Sequence, residues 1–367
     1  MRIGIDAREL CGQATGAGRY LGGLLREWQG ANETARRHEF VLYAPEPLGL
    51  ALEPHRFSIH VVAGAPSTWW EQVRLPSAAA ADHLDVFFAP AYSAPLLLRV
   101  PTVVAIHDVS FLVHPEWFRP REGLRRRWLT RRSAARARAV VTISHFSQRE
   151  ILETIGVPAP RVHVIPPGIT TPPYEPAASR REERILFVGS IFNRRHVPDL
   201  VRSFTALARR RPAASLDLVG DNRTYPHEDL PRTIADAGLP GRIRWHRYAA
   251  EDQLADLYAH AGAFAFLSEY EGLGLTPLEA LAAGVPPVLL DTPVARESCG
   301  NAALYVSCGD VEGTARALED VLFNENTRAR LLSAAPEVLA RYRWPRAAQD
   351  TLDVIESAAG RRLWRVP

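Results

Sequence analysis

Short apolar runs rich in β-branched and aromatic residues alternate with longer amphipathic runs along most of the chain. Seven short runs, from RIGIDA to VHVIPPG, occur in the first half, and six, from RILFVGS to ALYVS, occur in the second half. Helical patterns such as GRYLGGLLREWQG and VPDLVRSFTALARR lie between them. This alternation predicts an α/β protein with doubly wound parallel sheets, and the nearly continuous apolar strands indicate sheets that are covered on both faces.

The stretch PPGITTPPYEPAASRREER interrupts the alternation near the middle of the chain. It is rich in proline, then charged, and has no hydrophobic period, which is typical of a linker. Because 367 residues exceed the usual size of one core, we expect two Rossmann-like domains of similar size. The expected segments are 1–171 for the N-terminal domain, 172–184 for the linker, 185–345 for the C-terminal domain and 346–367 for a C-terminal helix that packs back towards the N-terminal domain.

The residue composition excludes several kinds of chemistry. All 44 basic residues are arginine, so a Schiff base on lysine is excluded, and phosphate contacts must come from arginine, histidine or backbone N–H groups. Cys11, Cys299 and Cys308 form neither a disulfide framework nor a CxxC motif, which fits a reducing compartment. No apolar run has the roughly 20 residues of a membrane helix, and MRIGIDAREL does not have the pattern of a signal peptide. We therefore expect a cytoplasmic protein.

Two loops that follow strands of the first half carry candidate ligand-binding residues. After the first strand, Gly16 and Gly18 would let backbone N–H groups approach a phosphate or sugar where a helix starts near Arg19, although a plain glycine turn explains them equally well. At the end of VVAIHD, His107 and Asp108 could contact a substrate oxygen. The alternative for His107 is a structural histidine that binds loop carbonyl groups.

A third loop, GSIFNRRHVPDLV, leads from a core strand into a helix that has Pro198 in its first turn. Its paired arginines, Arg194 and Arg195, could hold a pyrophosphate through forked hydrogen bonds, together with the helix dipole. A solvated basic pair is the alternative. The position directly after a core strand favours ligand binding.

The stretch SEYEGLGLTPLEALAAG places two carboxylates around a glycine-bearing turn. Glu279 follows Thr276 and Pro277 at the spacing of a capping box, which would explain this glutamate by helix structure alone. Glu271 has no such explanation, and its carboxylate is suited to accept hydrogen bonds from two vicinal sugar hydroxyls. The sequence has no DxD, HExxH, GxSxG or P-loop motif, so no metal site is predicted.

Taken together, these motifs make the chain resemble the retaining glycosyltransferases of family 4, which have the GT-B fold. The resemblance runs nearly from end to end. The most specific feature is the Glu-x7-Glu spacing from Glu271 to Glu279, and the N-terminal half is most similar to mannosyltransferases of bacterial surface-polysaccharide assembly. The matching motifs are GIDAREL…TGAGRY, IHDVSFLVHPEWF, TISHFSQREI, VHVIPPGI, ILFVGS…RR, YEGLGLTPLEALAAGVPPV and WPRAAQDTLDVIESA.

The resemblance implies two domains that face each other across a cleft, with the acceptor side on the N-terminal domain and the nucleotide sugar on the C-terminal domain. Glu271 would bind hydroxyls of the donor hexose, and Glu279 would bind the ribose. Arg194 and Arg195 would contact the diphosphate, and His107 would lie at the reacting face of the sugar. Further donor contacts are implied for Gly16, Gly18, Asp108, Ser190, Gly272, Leu273, Gly274, Leu275 and Thr276.

The sequence departs from the family pattern at two positions. The family usually has Arg-Lys where this chain has Arg194 and Arg195, and arginine keeps the charge without the point-charge geometry of lysine. Relatives often carry a lysine after the glycine of VGDN, where this chain has Asp221. A carboxylate there would repel a diphosphate, so Asp221 is not included in the predicted site.

The expected donor is a nucleotide-activated hexose, GDP-mannose in the first place and a UDP-sugar as the alternative. The acceptor would be a saccharide or a lipid-linked molecule. No cofactor or metal is expected, because arginines and helix dipoles can stabilise the leaving diphosphate. A sugar-nucleotide epimerase of the same fold would carry more cleft carboxylates than this sequence offers. A non-catalytic nucleotide-binding subunit would not require the intact site residues.

An arginine-rich segment begins at Arg119 and ends at Ala139. At helical spacing Leu124, Trp128 and Leu129 would gather on one side. A solvated helix face is the first interpretation, and peripheral docking on anionic lipid at the inner face of the membrane is the second. Nucleic-acid binding is not expected, because no matching motif or series of stacking aromatic residues accompanies the arginines.

Overall fold

The computed structural model describes residues 1–12, 16–30, 34–170 and 182–360. The chain divides into two compact units, each of which contains one of the predicted sheets. Unit 1 consists of Met1–Pro115, Pro120–Gly168 and the chain from Tyr342 onward, and unit 2 consists of Glu116–Arg119 and Ile169–Arg341.

In its described residues, unit 1 contains a seven-stranded sheet in which all neighbouring strands are parallel. The strands are β1 (Arg2–Asp6), β2 (Glu39–Ala44), β3 (Phe57–Val61), β4 (Val86–Ala89), β5 (Thr102–Ala105), β6 (Ala139–Thr142) and β7 (Val162–Val164). Their order is β3-β2-β1-β4-β5-β6-β7. The winding direction reverses between β1 and β4, and the loops that follow these strands lie where doubly wound sheets usually bind ligands.

Helices cover both faces of this sheet, as the apolar strands predict. On one face, Leu21, Leu24 and Trp28 of the first helix are fully buried against the strands. On the other face, Ala134 and Ile151 belong to a second buried cluster. The helices are α1 (Gly16–Gln29), α2 (Leu75–Ala79), α3 (Ser110–Val113), α4 (Pro120–Arg136) and α5 (His145–Ile155).

In its described residues, unit 2 contains a six-stranded parallel sheet. Its strands are β8 (Arg184–Val188), β9 (Ser215–Val219), β10 (Ile243–His246), β11 (Ala263–Phe266), β12 (Pro287–Leu290) and β13 (Leu304–Val306), in the order β10-β9-β8-β11-β12-β13. The winding direction reverses between β8 and β11. The helices are α6 (Val197–Arg210), α7 (Leu230–Asp236), α8 (Glu251–His260), α9 (Leu275–Ala282), α10 (Pro293–Cys299), α11 (Val311–Phe323) and α12 (Glu325–Leu339).

The last described helix, α13 (Trp344–Ala358), belongs to unit 1 although it follows unit 2 in the sequence. The indole Nε1 of Trp28 donates a hydrogen bond to the carbonyl oxygen of Ala348 at 3.0 Å, which joins α1 to α13. The ring of Trp344 occupies the space beside Gly23, where an added Cβ would lie 2.4 Å from the indole. Glycine at this position therefore lets α13 pack closely on α1.

The two sheets confirm the predicted fold class of Rossmann-like, doubly wound parallel-sheet domains. The unit boundaries differ from the expected segments in three places. Unit 1 ends at Gly168, so Ile169 belongs to unit 2 although the expected N-terminal domain extends to residue 171. Residues 342–345 belong to unit 1, because α13 begins earlier than expected, and Glu116–Arg119 belong to unit 2. Strand β8 begins at the last residue of the expected linker, and residues 172–181 of that linker lie outside the described residues.

Candidate functional site

The loops that follow β8 and β11 lie side by side in unit 2. Their strands are hydrogen-bonded neighbours in parallel orientation, so both loops leave the same edge of the sheet. The backbone N–H of Glu269 in the second loop donates to the carbonyl oxygen of Arg194 in the first loop at 3.0 Å. The structure thus brings the predicted arginine pair next to the predicted glutamate loop.

Arg195 and Glu271 form a partly buried ion pair within this arrangement. The Nε and Nη2 atoms of Arg195 each lie 2.8 Å from Oε1 of Glu271, and the two side chains are only 13% and 17% exposed. The Nη1 atom donates to the carbonyl oxygen of Ser190 at 2.7 Å. Burial lowers the pKa of Arg195, and the charge of Glu271 raises it. Because burial has the larger effect and the pKa is lowered overall, the pairing offsets only part of the desolvation of the guanidinium.

The carboxylate of Glu271 is held by a second donor. The hydroxyl of Ser268 donates to the same Oε1 atom at 2.8 Å. Within the described parts of the chain, the other carboxylate oxygen, Oε2, accepts no hydrogen bond. One oxygen thus fixes the side chain, and the second keeps its capacity to accept hydroxyl donors.

Arg194 has a different environment from its neighbour. Its guanidinium lies over the ring of Phe192, with 4.3 Å from Cζ to the ring centroid, and near the ring of Trp117 at 5.5 Å. Its Nε atom is buried without a hydrogen-bond partner, and no carboxylate of the described residues lies within ion-pair distance. A buried N–H without a partner is costly, so this guanidinium is suited to bind an anion.

The capping box predicted for Glu279 is wrong. Helix α9 begins at Leu275 rather than after Thr276, and its N-cap residue is Gly274, which has no side chain to cap the helix. Gly274 has a left-handed backbone with φ of +86°, a conformation that glycine adopts without strain. This turn starts the helix one residue before the threonine, so Thr276 and Pro277 lie inside its first turn.

Glu279 consequently lies one turn into α9 instead of at its cap. Its Oε2 atom accepts a hydrogen bond from the hydroxyl of Tyr258 at 3.4 Å. The predicted contacts of Gly272 and Leu273 with a donor belong to the turn that precedes this helix, where both residues are buried. Their role in donor binding stays a prediction, as does the ribose contact of Glu279.

His107 lies in unit 1, two residues beyond the end of β5, and is 8% exposed. Its Nε2 atom is 2.7 Å from the carbonyl oxygen of Pro90, so this nitrogen carries the proton and donates. The rings of Tyr20 and Tyr92 meet the imidazole edge-on at 4.9 and 5.6 Å. Burial lowers the pKa of His107, which favours the neutral ring. The alternative interpretation, a structural histidine that binds a loop carbonyl group, therefore explains the hydrogen bond of Nε2. A contact between His107 and the sugar stays a prediction.

The remaining predicted residues have local structural roles. Asp108 accepts hydrogen bonds from the backbone N–H and the hydroxyl of Ser110 at 2.9 and 2.6 Å, and from the hydroxyl of Tyr92 at 2.7 Å, at the start of α3. Helix α1 begins at Gly16 instead of near Arg19, which places Gly18 inside its first turn. These residues of unit 1 remain predictions as donor contacts.

Unit 1 has a charged cluster at its switch point that the sequence motifs did not predict. The Nη2 atom of Arg8 lies 3.1 Å from Oδ2 of Asp6 and 2.8 Å from Oε1 of Glu71, and the hydroxyl of Ser93 donates to Glu71 at 2.6 Å. Burial raises the pKa of Asp6 to about 6, although Arg8 acts against this shift. Arg8, Glu71 and Ser93 line a cavity of about 450 Å³. The Asp-x-Arg sequence that begins with the last residue of β1 is the signal that could have indicated it.

Two family models match the chain, one in each half. Residues 14–172 match the model described as Glycosyltransferase Family 4, and residues 175–338 match the model described as Glycosyl transferases group 1. The boundary between the two matches falls in the predicted linker. Both models describe transferases of sugar residues.

Curated relatives and a solved structure agree with these matches. O-antigen chain mannosyltransferase B of Escherichia coli is 26% identical over 289 residues, which are 74% of this chain and 74% of that protein. The GDP-mannose:cellobiosyl-diphosphopolyprenol alpha-mannosyltransferase of Xanthomonas oryzae pv. oryzae is 26% identical over 265 residues, 71% of this chain and 68% of that protein. Mannosylfructose-phosphate synthase of Agrobacterium fabrum is 26% identical over 226 residues, which are 56% of this chain but only 50% of that protein.

Anabaena HepE, solved in complex with UDP and glucose, has a TM-score of 0.74 and 19% identity, with 97% of this chain and 99% of that chain covered. At this identity the likeness concerns the fold. The family matches add the activity class, which is glycosyl transfer. The chain therefore belongs to the glycosyltransferases of the GT-B fold and is similar to bacterial mannosyltransferases.

Proposed function

We propose that this protein is a retaining, metal-independent mannosyltransferase that takes mannose from GDP-mannose and transfers it to a saccharide or lipid-linked acceptor. The observation that carries the proposal is Arg194, a guanidinium with a buried unpartnered N–H and no carboxylate of the described residues beside it. It lies at the switch point of unit 2, next to the Arg195–Glu271 pair. Two relatives are named as mannosyltransferases, which supports mannose, and the name of one of them includes GDP-mannose.

The proposed reaction breaks the bond between the anomeric carbon and the phosphate oxygen of the donor. The hexose then has oxocarbenium character, and negative charge develops on the diphosphate. Arg194 and Arg195 would stabilise this charge through hydrogen bonds from a partly buried site, where such bonds are stronger than in water. The acceptor oxygen would form a new bond to the anomeric carbon on the face from which the diphosphate leaves. The leaving phosphate would take the proton of that acceptor hydroxyl, so the configuration is retained.

Glu271 would orient the hexose and would not attack it. Its Oε1 atom is already engaged by Arg195 and Ser268, which fixes the carboxylate in place. Its Oε2 atom would accept the hydroxyls of the sugar. An ion-paired carboxylate of this kind is a poor nucleophile, because its charge is shared with a guanidinium.

A UDP-sugar is the second candidate donor, because the solved structure of HepE contains UDP and glucose. A thermal-shift comparison separates the candidates, since ligand binding to the folded state raises the unfolding temperature by mass action. We expect GDP and GDP-mannose to raise it, and equal concentrations of UDP and UDP-glucose to leave it nearly unchanged. The reverse pattern would replace GDP-mannose by a UDP-sugar, and NMR of the glycoside product would show whether the anomeric configuration is retained.

We also propose that α4 of unit 1 docks on anionic lipid. Its sequence, PREGLRRRWLTRRSAAR, has seven arginines and one glutamate, and Leu124 and Trp128 are 63% and 53% exposed. Leu129, which was expected beside them, is buried in the core instead. Trp69, near the helix through a hydrogen bond from Arg125 to Thr68, is 67% exposed. Among the described residues, no helix combines the length and apolar character that crossing a bilayer requires.

Vesicle co-sedimentation tests this docking. The protein should bind vesicles that contain anionic phospholipid and should bind zwitterionic vesicles weakly, because the arginines supply most of the attraction. The double change Leu124→Asp and Trp128→Asp should reduce binding to anionic vesicles at least several-fold. Tyr248→Asp in unit 2, where the tyrosine is 68% exposed, is the matched control and should bind like wild type. Equal binding of all three proteins would support the solvated-face interpretation.

A further inference from the structure

Three metal-ligating side chains from different loops of unit 2 converge beside the donor-binding residues. His196 follows β8, Glu269 follows β11 and Cys308 follows β13. The Nε2 atom of His196 lies 3.4 Å from Oε2 of Glu269 and 3.8 Å from Sγ of Cys308, and the three ligand atoms all lie within 4.8 Å of one another. All three residues are at least partly exposed, so an ion can reach them from solvent.

The backbone and the second nitrogen of His196 support a role for this imidazole. Its Nδ1 atom faces Oδ2 of Asp199 at 3.7 Å, and metal-bound histidines commonly present their other nitrogen to a carboxylate. His196 has φ of +46° and ψ of +40°, a left-handed conformation that costs a residue with a side chain about 1–2 kcal/mol. Local strain of this kind is concentrated at functional positions. The left-handed backbone of His196 places the imidazole between the loops that carry Glu269 and Cys308.

We propose that His196, Glu269 and Cys308 bind a zinc ion. An imidazole nitrogen, a thiolate and a carboxylate form a donor set for zinc, whereas magnesium and calcium prefer oxygen ligands alone. Tetrahedral bonds of about 2.0–2.3 Å place neighbouring ligand atoms about 3.3–3.6 Å apart. The observed separations of 3.4 and 3.8 Å therefore need only small movements. The thiol loses its proton on binding, and the fourth position is open to water.

The charge around the cluster suits a cation. Glu269 has no arginine of the described residues within ion-pair distance, and its ion-pair contact is with His196. Asp199 places Oδ2 of its carboxylate on the other side of the imidazole, while Arg202 pairs with Oδ1 of the same carboxylate. A zinc ion would tie together the loops after β8, β11 and β13. Because His196 directly follows Arg195 and Glu269 is hydrogen-bonded to Arg194, the ion would hold the loops that carry the donor-binding residues without entering the reaction.

The test is zinc binding to the whole protein after removal of bound metal with a chelator and subsequent gel filtration. Titration of zinc against a colorimetric zinc indicator should show one tight equivalent for wild type. Cys308→Ser and His196→Asn should each weaken binding at least tenfold, and asparagine also tolerates the left-handed backbone, so the second variant should fold. Cys11→Ser, which changes a cysteine of unit 1, is the matched control and should bind like wild type.

Cobalt provides a second readout that does not depend on activity or on nucleotide binding. A thiolate ligand should give cobalt-loaded wild type an intense charge-transfer absorption in the near ultraviolet, and Cys308→Ser should lack this absorption while Cys11→Ser retains it. Circular dichroism confirms that each variant is folded. The proposal is overturned if wild type binds no zinc at micromolar concentration, or if Cys308→Ser and wild type bind zinc equally.

Discussion

At the scale of single residues, the two adjacent arginines of unit 2 differ in how their charge is balanced. Arg195 is held by Glu271 and by the carbonyl oxygen of Ser190. Arg194 lies on the rings of Phe192 and Trp117, which contact a cation without neutralising it. Arg195 therefore has a structural partner already, whereas Arg194 is the cation with capacity for an anionic ligand.

Changing Arg194 to alanine should weaken binding of GDP by about 10- to 150-fold, if each hydrogen bond to a charged group contributes about 1.5–3 kcal/mol. Isothermal titration calorimetry measures this change. Arg209→Ala removes an exposed arginine near the end of α6 and is the matched control, which should bind GDP like wild type. Wild-type affinity of Arg194→Ala would remove this residue from the diphosphate site.

Glu279→Gln should weaken binding of the nucleoside diphosphate. A carboxylate accepts hydrogen bonds from two ribose hydroxyls, and an amide does so less well. Because the structure excludes a capping box, helix stability should change little. Tyr258→Phe removes the hydroxyl that contacts Glu279 and separates the loss of this internal hydrogen bond from the loss of the ribose contact. If calorimetry finds Glu279→Gln equal to wild type, the ribose role is wrong.

Glu271→Gln should lower turnover and leave affinity for the free nucleotide nearly unchanged, because the proposed partner of Glu271 is the hexose. The variant keeps a side chain of the same size beside Arg195 and Ser268. A rate measurement with saturating donor, together with titration of GDP, distinguishes the two quantities. Full turnover in this variant would contradict the sugar-positioning role.

At the scale of secondary structure elements, the start of α9 depends on the conformation of one glycine. The loop after β11 must turn into a helix within a few residues, and the left-handed backbone of Gly274 makes that turn. An added Cβ at Gly274 would have no neighbour closer than 3.9 Å. Glycine is therefore required here for its backbone conformation and not for its small size. The helix N-terminus thereby lies in the same loop as Glu271.

Gly274→Ala should lower the free energy of unfolding by about 1–2 kcal/mol, because alanine is strained in the left-handed region. Thr276→Ala should have little effect, since the threonine does not cap the helix. Loss of a genuine N-cap would cost about 0.5–2 kcal/mol. Urea unfolding followed by circular dichroism compares the two variants. A stability loss in Thr276→Ala as large as that in Gly274→Ala would restore the capping interpretation.

At the scale of the whole molecule, each unit gathers its charged groups where the winding of its sheet reverses. Unit 1 has Asp6 at the end of β1 and Arg8 after this strand, and unit 2 has Arg194 and Arg195 after β8. At these reversals the loops that follow the two neighbouring strands lead to opposite faces of the sheet. This leaves a crevice beyond the carboxyl ends of the strands, which is where doubly wound sheets bind ligands. Because both sheets reverse their winding direction, each unit has one such position, and each of these positions carries a charged cluster.

Transfer of the sugar should proceed at the same rate in EDTA and in magnesium, because the sequence has no DxD motif and arginines can stabilise the leaving diphosphate. The measurement is the rate of product formation from GDP-mannose. EDTA also removes zinc, so zinc is added back in a separate reaction, and a loss of rate that only zinc restores is assigned to the cluster of His196, Glu269 and Cys308 and not to the diphosphate site. A loss in EDTA that magnesium or manganese restores would contradict the metal-independent mechanism.

The order of amino acids is enough to predict the architecture of both sheets and the loops in which the site lies. Every run that predicts a strand, from RIGIDA to ALYVS, contains a strand of the structure. This succeeds because hydrophobic periodicity is a local property of a parallel sheet covered on both faces. For the same reason, the sequence predicts that Arg194 and Glu271 lie in loops that follow strands.

The contacts between groups of different loops become apparent only in the folded structure. The pairing of Arg195 with Glu271 joins residues 76 positions apart, and the contact between His196 and Cys308 spans 112 positions. Neither contact has a local pattern, because the order β10-β9-β8-β11-β12-β13 sets which loops become neighbours. The start of α9 at Leu275 likewise follows from a left-handed glycine that the Thr-Pro signal conceals. Local sequence specifies each element, whereas distances between loops arise only when the sheet is assembled.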